Sequence, residues 1–443
     1  MKLYAPWERV FQKISTPFEN FLHSQTSSGI ILMATTILAL IVANSIFSEA
    51  YYHFFHTKIV FNVGSWELSH TLHHWINDGL MAIFFFLVGL EIKREVLVGE
   101  LSNIKVAILP ILAAIGGMIA PALIYTAINH STSGSGGWGI PMATDIAFAI
   151  SALVLLGNRV SPPLVTFLVA LAIVDDLGAV LVIAFFYTNE IQMVPLALAG
   201  VSFLVMLSFN RFGIHSILPY FIVGIGMWFF MLESGVHATI AGVVAALSIP
   251  SRPKCTPVDF TIHTKNLLDE YDNYPVATDH TIHEKQKAIL LNIQDRIDSV
   301  NSPATRLEHA LHLPVSLLII PIFALANAGI NIDFSQLGSI IMQNVSLGVM
   351  AGLVFGKVIG IAGVSFLAIK LGIAKLPTNS TMSQIFGVSI LGGIGFTMSI
   401  FVADLAFIDN EELILQAKTG ILCASLFCGI FGYIWLRYIA KKG

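Results

Sequence analysis

The sequence has little charge, few cysteines and no excess of basic residues. Lys and Arg number 23 and Asp and Glu 27, so charged residues make up 11% of the 443, where a soluble domain carries about 25%. This shortage excludes a water-soluble globule and a disordered chain. The formal net charge of −4 argues against a nucleic-acid partner, and three cysteines are too few for a disulfide framework. No Walker A loop is present, so ATP does not drive this protein directly.

Apolar residues are abundant and continuous. They make up 56% of the chain, and the mean hydropathy is +0.80. The apolar segments run for about 20 residues without alternating polarity, so they predict membrane-spanning helices rather than barrel strands. Twelve such segments are predicted, at residues 29–47, 75–93, 106–129, 139–157, 162–187, 191–209, 214–232, 235–250, 307–330, 346–368, 383–407 and 413–437. The fold class is therefore an all-α membrane protein.

Basic residues set the orientation of these spans. Most of the 23 Lys and Arg residues lie at the two termini or in alternate loops. Because basic residues stay on the cytoplasmic side, both termini are expected to be cytoplasmic, and an even number of spans agrees.

The rest of the chain divides around the spans. Residues 1–26 predict a helix on the membrane surface, and 27–250 hold the first eight spans with an outward hairpin at 53–68. Residues 251–305 form a polar cytoplasmic insert, in which Thr281 and Glu284 predict the start of a helix. Residues 306–443 hold the last four spans.

Four charged residues fall near the middle of spans: Asp145, Asp175, Asp176 and Lys357. Each costs about 2.5–3.5 kcal/mol there, which makes it a functional candidate by default. A buried ion pair of Lys357 with one aspartate is the structural alternative, and it is compatible with a functional role. Asp78 and Asp404 lie nearer span ends, where we expect water to reach them.

Adjacency makes Asp175 and Asp176 the strongest candidates. Consecutive helical residues diverge by about 100°, so both can border one cavity without contacting the same neighbour. Two like charges in a poorly hydrated cavity cannot both ionise easily. Such a carboxylate holds either a proton or a hard cation, and this competition is the chemistry of an exchanger.

Two spans contain residues that weaken a helix. Gly139 and Pro141 precede Thr144 and Asp145 in the fourth span, and Gly393 and Gly395 lie in the eleventh. Half-helix ends at mid-membrane carry partial charges that bind ions, and Asp145 and Lys357 are suited to neutralise them. Glycines that merely face lipid are the alternative.

Further ionisable residues lie at or near span ends: Glu91, Glu95, His237, Glu308, His309 and His312. Histidines there titrate near physiological pH and suit a pH sensor. Interfacial charges satisfied by water are an equal alternative for any one of them.

Several strings together closely resemble the NhaA family of bacterial sodium/proton antiporters, over about residues 15–440. These are VDDLG at 174–178, ATDIAFA at 143–149, GLEIKRE at 89–95, LEH at 307–309 and FALANAG at 323–329. The resemblance implies twelve helices, with spans three to five and ten to twelve as inverted repeats. It also implies that the fourth and eleventh spans are broken and cross at mid-membrane.

The resemblance also implies roles. Asp176 would be the principal carboxylate for Na+ and protons, and Asp175 its partner, exchanging a salt bridge with Lys357. Thr144 and Asp145 would lie at the crossing, and the six residues near span ends would form a pH-responsive set. The family exchanges Na+ or Li+ for a larger number of protons, without a cofactor, in the bacterial inner membrane. It forms homodimers through an outward hairpin, which matches residues 53–68.

Two other classes of membrane protein are alternatives. An intramembrane aspartyl protease would show a Gly-x-Gly-Asp motif and acids on different helices, and the paired aspartates do not fit it. A non-transporting membrane sensor is the third hypothesis, because the long cytoplasmic insert at 251–305 is suited to signalling.

Overall fold

The computed structural model describes residues 25–63, 66–188, 191–274, 283–331, 335–408 and 410–439. The predicted surface helix at 1–26 therefore lies outside the described residues, except for its last two, which begin the first helix. Helices, numbered here along the chain, make up nearly all of the described secondary structure. They are α1 Gln25–Ala43, α2 Ser48–His56, α3 Leu72–Leu97, α4 Ile104–Asn129, α5 Ser133–Met142 with Ile146–Val154, α6 Pro162–Phe186, α7 Met193–Arg211, α8 Ile217–Glu233, α9 Thr239–Ser248, α10 Pro257–Asp272, α11 Glu284–Val300, α12 Pro303–Asn327, α13 Leu337–Ile341, α14 Asn344–Lys370, α15 Met382–Leu391 with Phe396–Ala406, and α16 Glu411–Ile439.

The apolar helices confirm an all-α membrane protein. Seven helices in the described part are long and apolar enough to cross a membrane, namely α3, α4, α6, α7, α12, α14 and α16. Three bent pairs raise the number to as many as ten: α1 with α2, bent by 112°, the two halves of α5, bent by 40°, and those of α15, bent by 48°. The apolar helices α8 and α9 are shorter and coincide with the seventh and eighth predicted segments. Twelve spans therefore stays a prediction.

A two-stranded hairpin joins α2 to α3. Strand β1, Lys58–Val63, pairs antiparallel with β2, Trp66–Thr71, and Val63 lies opposite Trp66. The predicted hairpin, at 53–68, begins too early in the chain, since residues 53–56 form the last turn of α2. Aromatic residues four positions apart stabilise α2, because the ring of Tyr51 packs on that of Phe55 with centroids 5.1 Å apart.

The insert consists largely of two packed helices, α10 and α11. The predicted start of α11 was wrong, because its N-terminus is capped by His283 in a capping box with Gln286. Thr281 lies outside the described residues. Helix α10 was not predicted, although Thr256 caps it and Pro257 occupies its first turn.

Glycines bring α14 directly against α4. A Cβ atom added at Gly360 would collide with the backbone of Gly116, and one at Gly356 would collide with Pro121. Small residues allow helix backbones to approach closely in membrane proteins. The close approach encloses Lys357, whose exposed fraction is 0%.

Candidate functional site

The breaks in α5 and α15 contact each other. The backbone N–H of Asp145 donates to the carbonyl oxygen of Ile394 at 2.6 Å, and the hydroxyl of Thr144 donates to the carbonyl of Gly392 at 3.0 Å. Each break thus supplies hydrogen-bond partners for the polar groups of the other. Irregular backbone is tolerated at membrane depth only where it is enclosed in this way.

Asp145 binds the N-termini of two half-helices. One carboxylate oxygen accepts from the backbone N–H of Phe148 at 3.1 Å, in the first turn of the second half of α5. The other accepts from the backbone N–H and the hydroxyl of Thr397, at 3.0 and 2.6 Å, in the first turn of the second half of α15. The negative charge therefore lies where both helix dipoles are positive.

Lys357 binds the opposite end of the break in α5. Its ammonium group donates to the carbonyl oxygen of Met142, the last residue of the first half of α5. It also pairs with Asp175, with 2.6 Å between Nζ and Oδ2, and both side chains are fully buried. A cation at a helix C-terminus is favourable for the same electrostatic reason as an anion at an N-terminus.

Asp176 differs from its neighbour in having no hydrogen-bond partner within the described part of the chain. Both of its carboxylate oxygens are buried without a hydrogen-bond partner among the described residues. The residue is 1% exposed and lines a cavity of about 260 Å³ together with Asp145 and Thr397. A buried polar group without a partner is costly, so these oxygens are poised to bind a proton or a cation.

The cavity extends from Asp176 to a charged cluster between α3 and α12. There the guanidinium of Arg94 pairs with Glu308 at 2.5 Å and with Glu95 at 2.8 Å. Glu91 and His312 line the cavity beside this cluster. We call this end of the molecule, marked by Arg94 and Glu308, the cavity face, and the end that carries β1 and β2 the hairpin face.

The comparisons with known proteins agree with the predicted family. Residues 19–436 match the family described as Na+/H+ antiporter 1. The chain belongs to this family. A protein named Na(+)/H(+) antiporter NhaA from Sulfurimonas denitrificans is 70% identical over 442 residues, which cover all of both chains. Relatives from Saccharophagus degradans and Dichelobacter nodosus are 48% and 47% identical, each over 98% of this chain and 94% of the relative.

Within this family member, four of the six predicted pH-sensing residues lie together. They lie where the cavity reaches the cavity face, and they are Glu91, Glu95, Glu308 and His312. Arg94, which binds two of them, was not singled out from the sequence, although it stands within the GLEIKRE string.

The other two members differ in position. His309 is exposed and lies beside the cluster, within electrostatic reach of His312. His237 is at the hairpin face, where its Nε2 lies 2.7 Å from the carbonyl oxygen of Tyr187. Other histidines, among them His70 and His74, also lie at that face. The pKa of His70 is lowered by its burial and by the nearby imidazole of His74. The structure thus separates the predicted set between the two faces.

Two of the four predicted break residues lie in a break and two lie before one. Gly393 and Gly395 lie in the break of α15, where a Cβ atom at Gly395 would crowd Ser399 and the carbonyl of Ala143. Gly139 and Pro141 lie before the break of α5, within its tightly wound first half. Gly139 instead allows close contact with the Tyr187 hydroxyl, which accepts a hydrogen bond from its N–H at 3.0 Å.

Asp404 and Asp78 are less exposed than predicted. Their side chains are 10% and 15% exposed, and each lies beside a cationic or titratable partner, Lys418 for Asp404 and His74 for Asp78. For Asp404 the prediction failed because Lys418 belongs to the next span, and position along a span does not reveal that contact. His74, in contrast, lies one helical turn before Asp78 in α3.

Proposed function

We propose that this protein is an electrogenic Na+(Li+)/H+ antiporter that works by alternating access at Asp175 and Asp176. Membership of the Na+/H+ antiporter family supports the substrates. The observation that carries the site assignment is Asp176, buried at 1% exposure, lining the cavity and lacking a hydrogen-bond partner among the described residues.

Competition between protons and a cation follows from the paired carboxylates. Asp175 is balanced by Lys357, whereas Asp176 has no such partner in the part of the chain that the structure describes, so a proton or Na+ supplies its missing positive charge. A sodium ion that also binds Asp175 displaces the Lys357 ammonium. Two carboxylates and a lysine offer more than one proton site, which supports exchange of more protons than sodium ions.

Alternating access follows from where the cavity leads. It connects Asp176 with the cavity face, and the Lys and Arg residues of the loops on that face support its assignment to the cytoplasmic side. Protons arriving from the hairpin face neutralise Asp176, and cytoplasmic sodium then displaces them. In this mechanism both termini are cytoplasmic and the protein resides in the bacterial inner membrane.

We assign pH regulation to the cluster around Arg94, namely Glu91, Glu95, Glu308 and His312. These groups line or adjoin the entrance through which sodium reaches Asp176, so their charge controls the local concentration of cations. His309 adjoins this cluster, next to Glu308, whereas His237 forms a separate site at the hairpin face.

The hairpin suggests how two copies associate. Strands β1 and β2 form an isolated two-stranded sheet in the described part of the chain, and each strand has an edge that can pair with another strand. We propose that the hairpins of two copies pair in a homodimer. Na+ or Li+ and protons are substrates, and the mechanism needs no cofactor.

The test is collapse of a pH gradient in inverted membrane vesicles. Sodium or lithium should dissipate the gradient in vesicles with the wild-type protein, and Asp176→Asn should abolish the response. Asp269→Asn, in the exposed face of α10, is the matched control and should respond as wild type. A full sodium response from Asp176→Asn at wild-type expression would contradict the proposal.

A further inference from the structure

A second buried ion pair joins the last two spans. The ammonium of Lys418 on α16 lies 2.9 Å from Oδ1 of Asp404 on α15, and the two side chains are 9% and 10% exposed. The other oxygen of Asp404, Oδ2, is buried and has no hydrogen-bond partner among the described residues. The mechanism proposed above makes no use of this pair.

Asp404 shares a helix face with the site at the crossing. Thr397, Phe401 and Asp404 are four and three residues apart, so they line one side of the second half of α15, over a length of about 10 Å. Thr397 binds Asp145, and Phe401 packs against Phe85 of α3 and Phe323 of α12, at 5.6 and 6.1 Å between ring centroids. Asp404 therefore lies beyond this aromatic layer, toward the hairpin face.

Polar side chains of α3 and α12 lie at the same level. The imidazole Nε2 of His73 is 2.8 Å from the amide oxygen of Asn327, and the amide nitrogen of Asn327 donates to Asn77 at 2.9 Å. His73 is also within electrostatic reach of Asp404 and Lys418. The contact between α3 and α12 on one side and α15 and α16 on the other is thus polar at the hairpin face.

The same helices enclose the cavity at the other face. Residues of α3 and α12 line it opposite Thr397 and Met398 of α15. A transporter with alternating access opens the two ends of such a contact in turn. Opening at the hairpin face would expose Asp404 before any other carboxylate on that side of α15.

We propose that Asp404 is a second cation-binding carboxylate, which an alkali-metal cation contacts between the aromatic layer and the hairpin face. The inference rests on the proposed antiport. In the closed state Lys418 supplies the positive charge that a buried carboxylate requires. When the hairpin face opens, water screens the ion pair and the cation competes with Lys418 for the carboxylate.

The experiment compares the two faces of the membrane. Sodium is presented to the hairpin face or to the cavity face, using right-side-out and inverted vesicles that contain Asp404→Asn. The KM for sodium at the hairpin face should rise about tenfold, which corresponds to about 1.4 kcal/mol of binding free energy, while KM at the cavity face stays unchanged. An unchanged KM at the hairpin face, or an equal rise at both faces, would overturn the proposal.

Lys418→Met should change the KM for sodium at the hairpin face in the opposite direction. Without its competitor, Asp404 should bind sodium more tightly, so KM at the hairpin face should fall. Because this variant buries an unpaired carboxylate and can unfold, the double variant Asp404→Asn with Lys418→Met is measured beside it. It should fold and show the raised KM of Asp404→Asn, and a wild-type KM in the double variant would overturn the inference.

The same data separate this inference from the antiport itself. If the wild-type protein moves no sodium or lithium in either orientation, the proposed function fails. If the wild type exchanges both ions and Asp404→Asn shows no difference between faces, only the assignment of Asp404 fails.

Discussion

Two charged contacts of nearly equal length lie at different depths. Lys357 and Asp175 are 2.6 Å apart at the helix crossing, with both side chains fully buried. Arg94 and Glu308 are 2.5 Å apart at the cavity entrance, where the Arg94 side chain is 46% exposed. Charges interact far more strongly where water is absent, and exposed pairs are screened by salt. We therefore expect the first contact to control stability and transport, and the second to control the response to pH and salt.

The largest effect is expected from Lys357→Ala. Removing one partner leaves Asp175 buried without its counter-ion, which costs about 3–5 kcal/mol of unfolding free energy. Thermal unfolding in detergent measures this loss, and Lys375→Ala in an exposed loop is the control. Equal Tm values for the two variants, together with unchanged charge movement per sodium ion, would show that the Lys357–Asp175 contact controls neither stability nor transport.

Arg94→Ala should have a smaller effect on stability and a larger one on pH dependence. Arg94 is nearly half exposed but Glu308 is only 8% exposed, so the loss should be about 1–3 kcal/mol, less than for Lys357→Ala. Removing this positive charge makes the cluster more negative, so protons compete better with cations at the cavity entrance. The pH profile of transport in inverted vesicles should therefore move toward alkaline pH.

The control for Arg94 is Arg252→Ala, an exposed arginine in the insert. It should leave the pH profile in place. A profile for Arg94→Ala that stays at the wild-type midpoint, or moves toward acid, would show that the cluster does not regulate entry.

The smallest effect is expected from ionic strength. Raising choline chloride from about 0.05 M to about 0.5 M shortens the screening length several-fold and weakens contacts that water reaches. The wild-type pH midpoint should move in the same direction as in Arg94→Ala, but less. The Tm difference between Lys357→Ala and wild type should stay constant, and a difference that shrinks with salt would mean that water reaches the crossing.

Much of this architecture is predictable from the sequence, for physical reasons. Membrane spans require long apolar runs, so the predicted segment at 162–187 matches α6 at Pro162–Phe186 almost residue for residue. A charge at mid-membrane is costly enough to stand out, so the positions of Asp175, Asp176 and Lys357 within apolar runs are sufficient to select them as candidates. The helix-weakening glycines likewise mark the broken span α15.

The remaining features depend on contacts between distant segments. Arg94 binds Glu308, more than 200 residues away, and Asp404 is less hydrated than predicted because Lys418 of the next span packs against it. The break of α5 follows Gly139 and Pro141 instead of coinciding with them, because Asp145 caps the second half-helix. Spacing along the chain contains no information on these pairings.

Proton release on sodium binding tests the central claim most directly. The purified protein, in weakly buffered detergent solution near the pH of half-maximal activity, is titrated with NaCl while a pH indicator follows released protons. The wild type should release protons in proportion to bound sodium, and Asp176→Asn should release none, because sodium and protons compete for this carboxylate. Proton release from Asp176→Asn equal to that of the wild type would contradict the account.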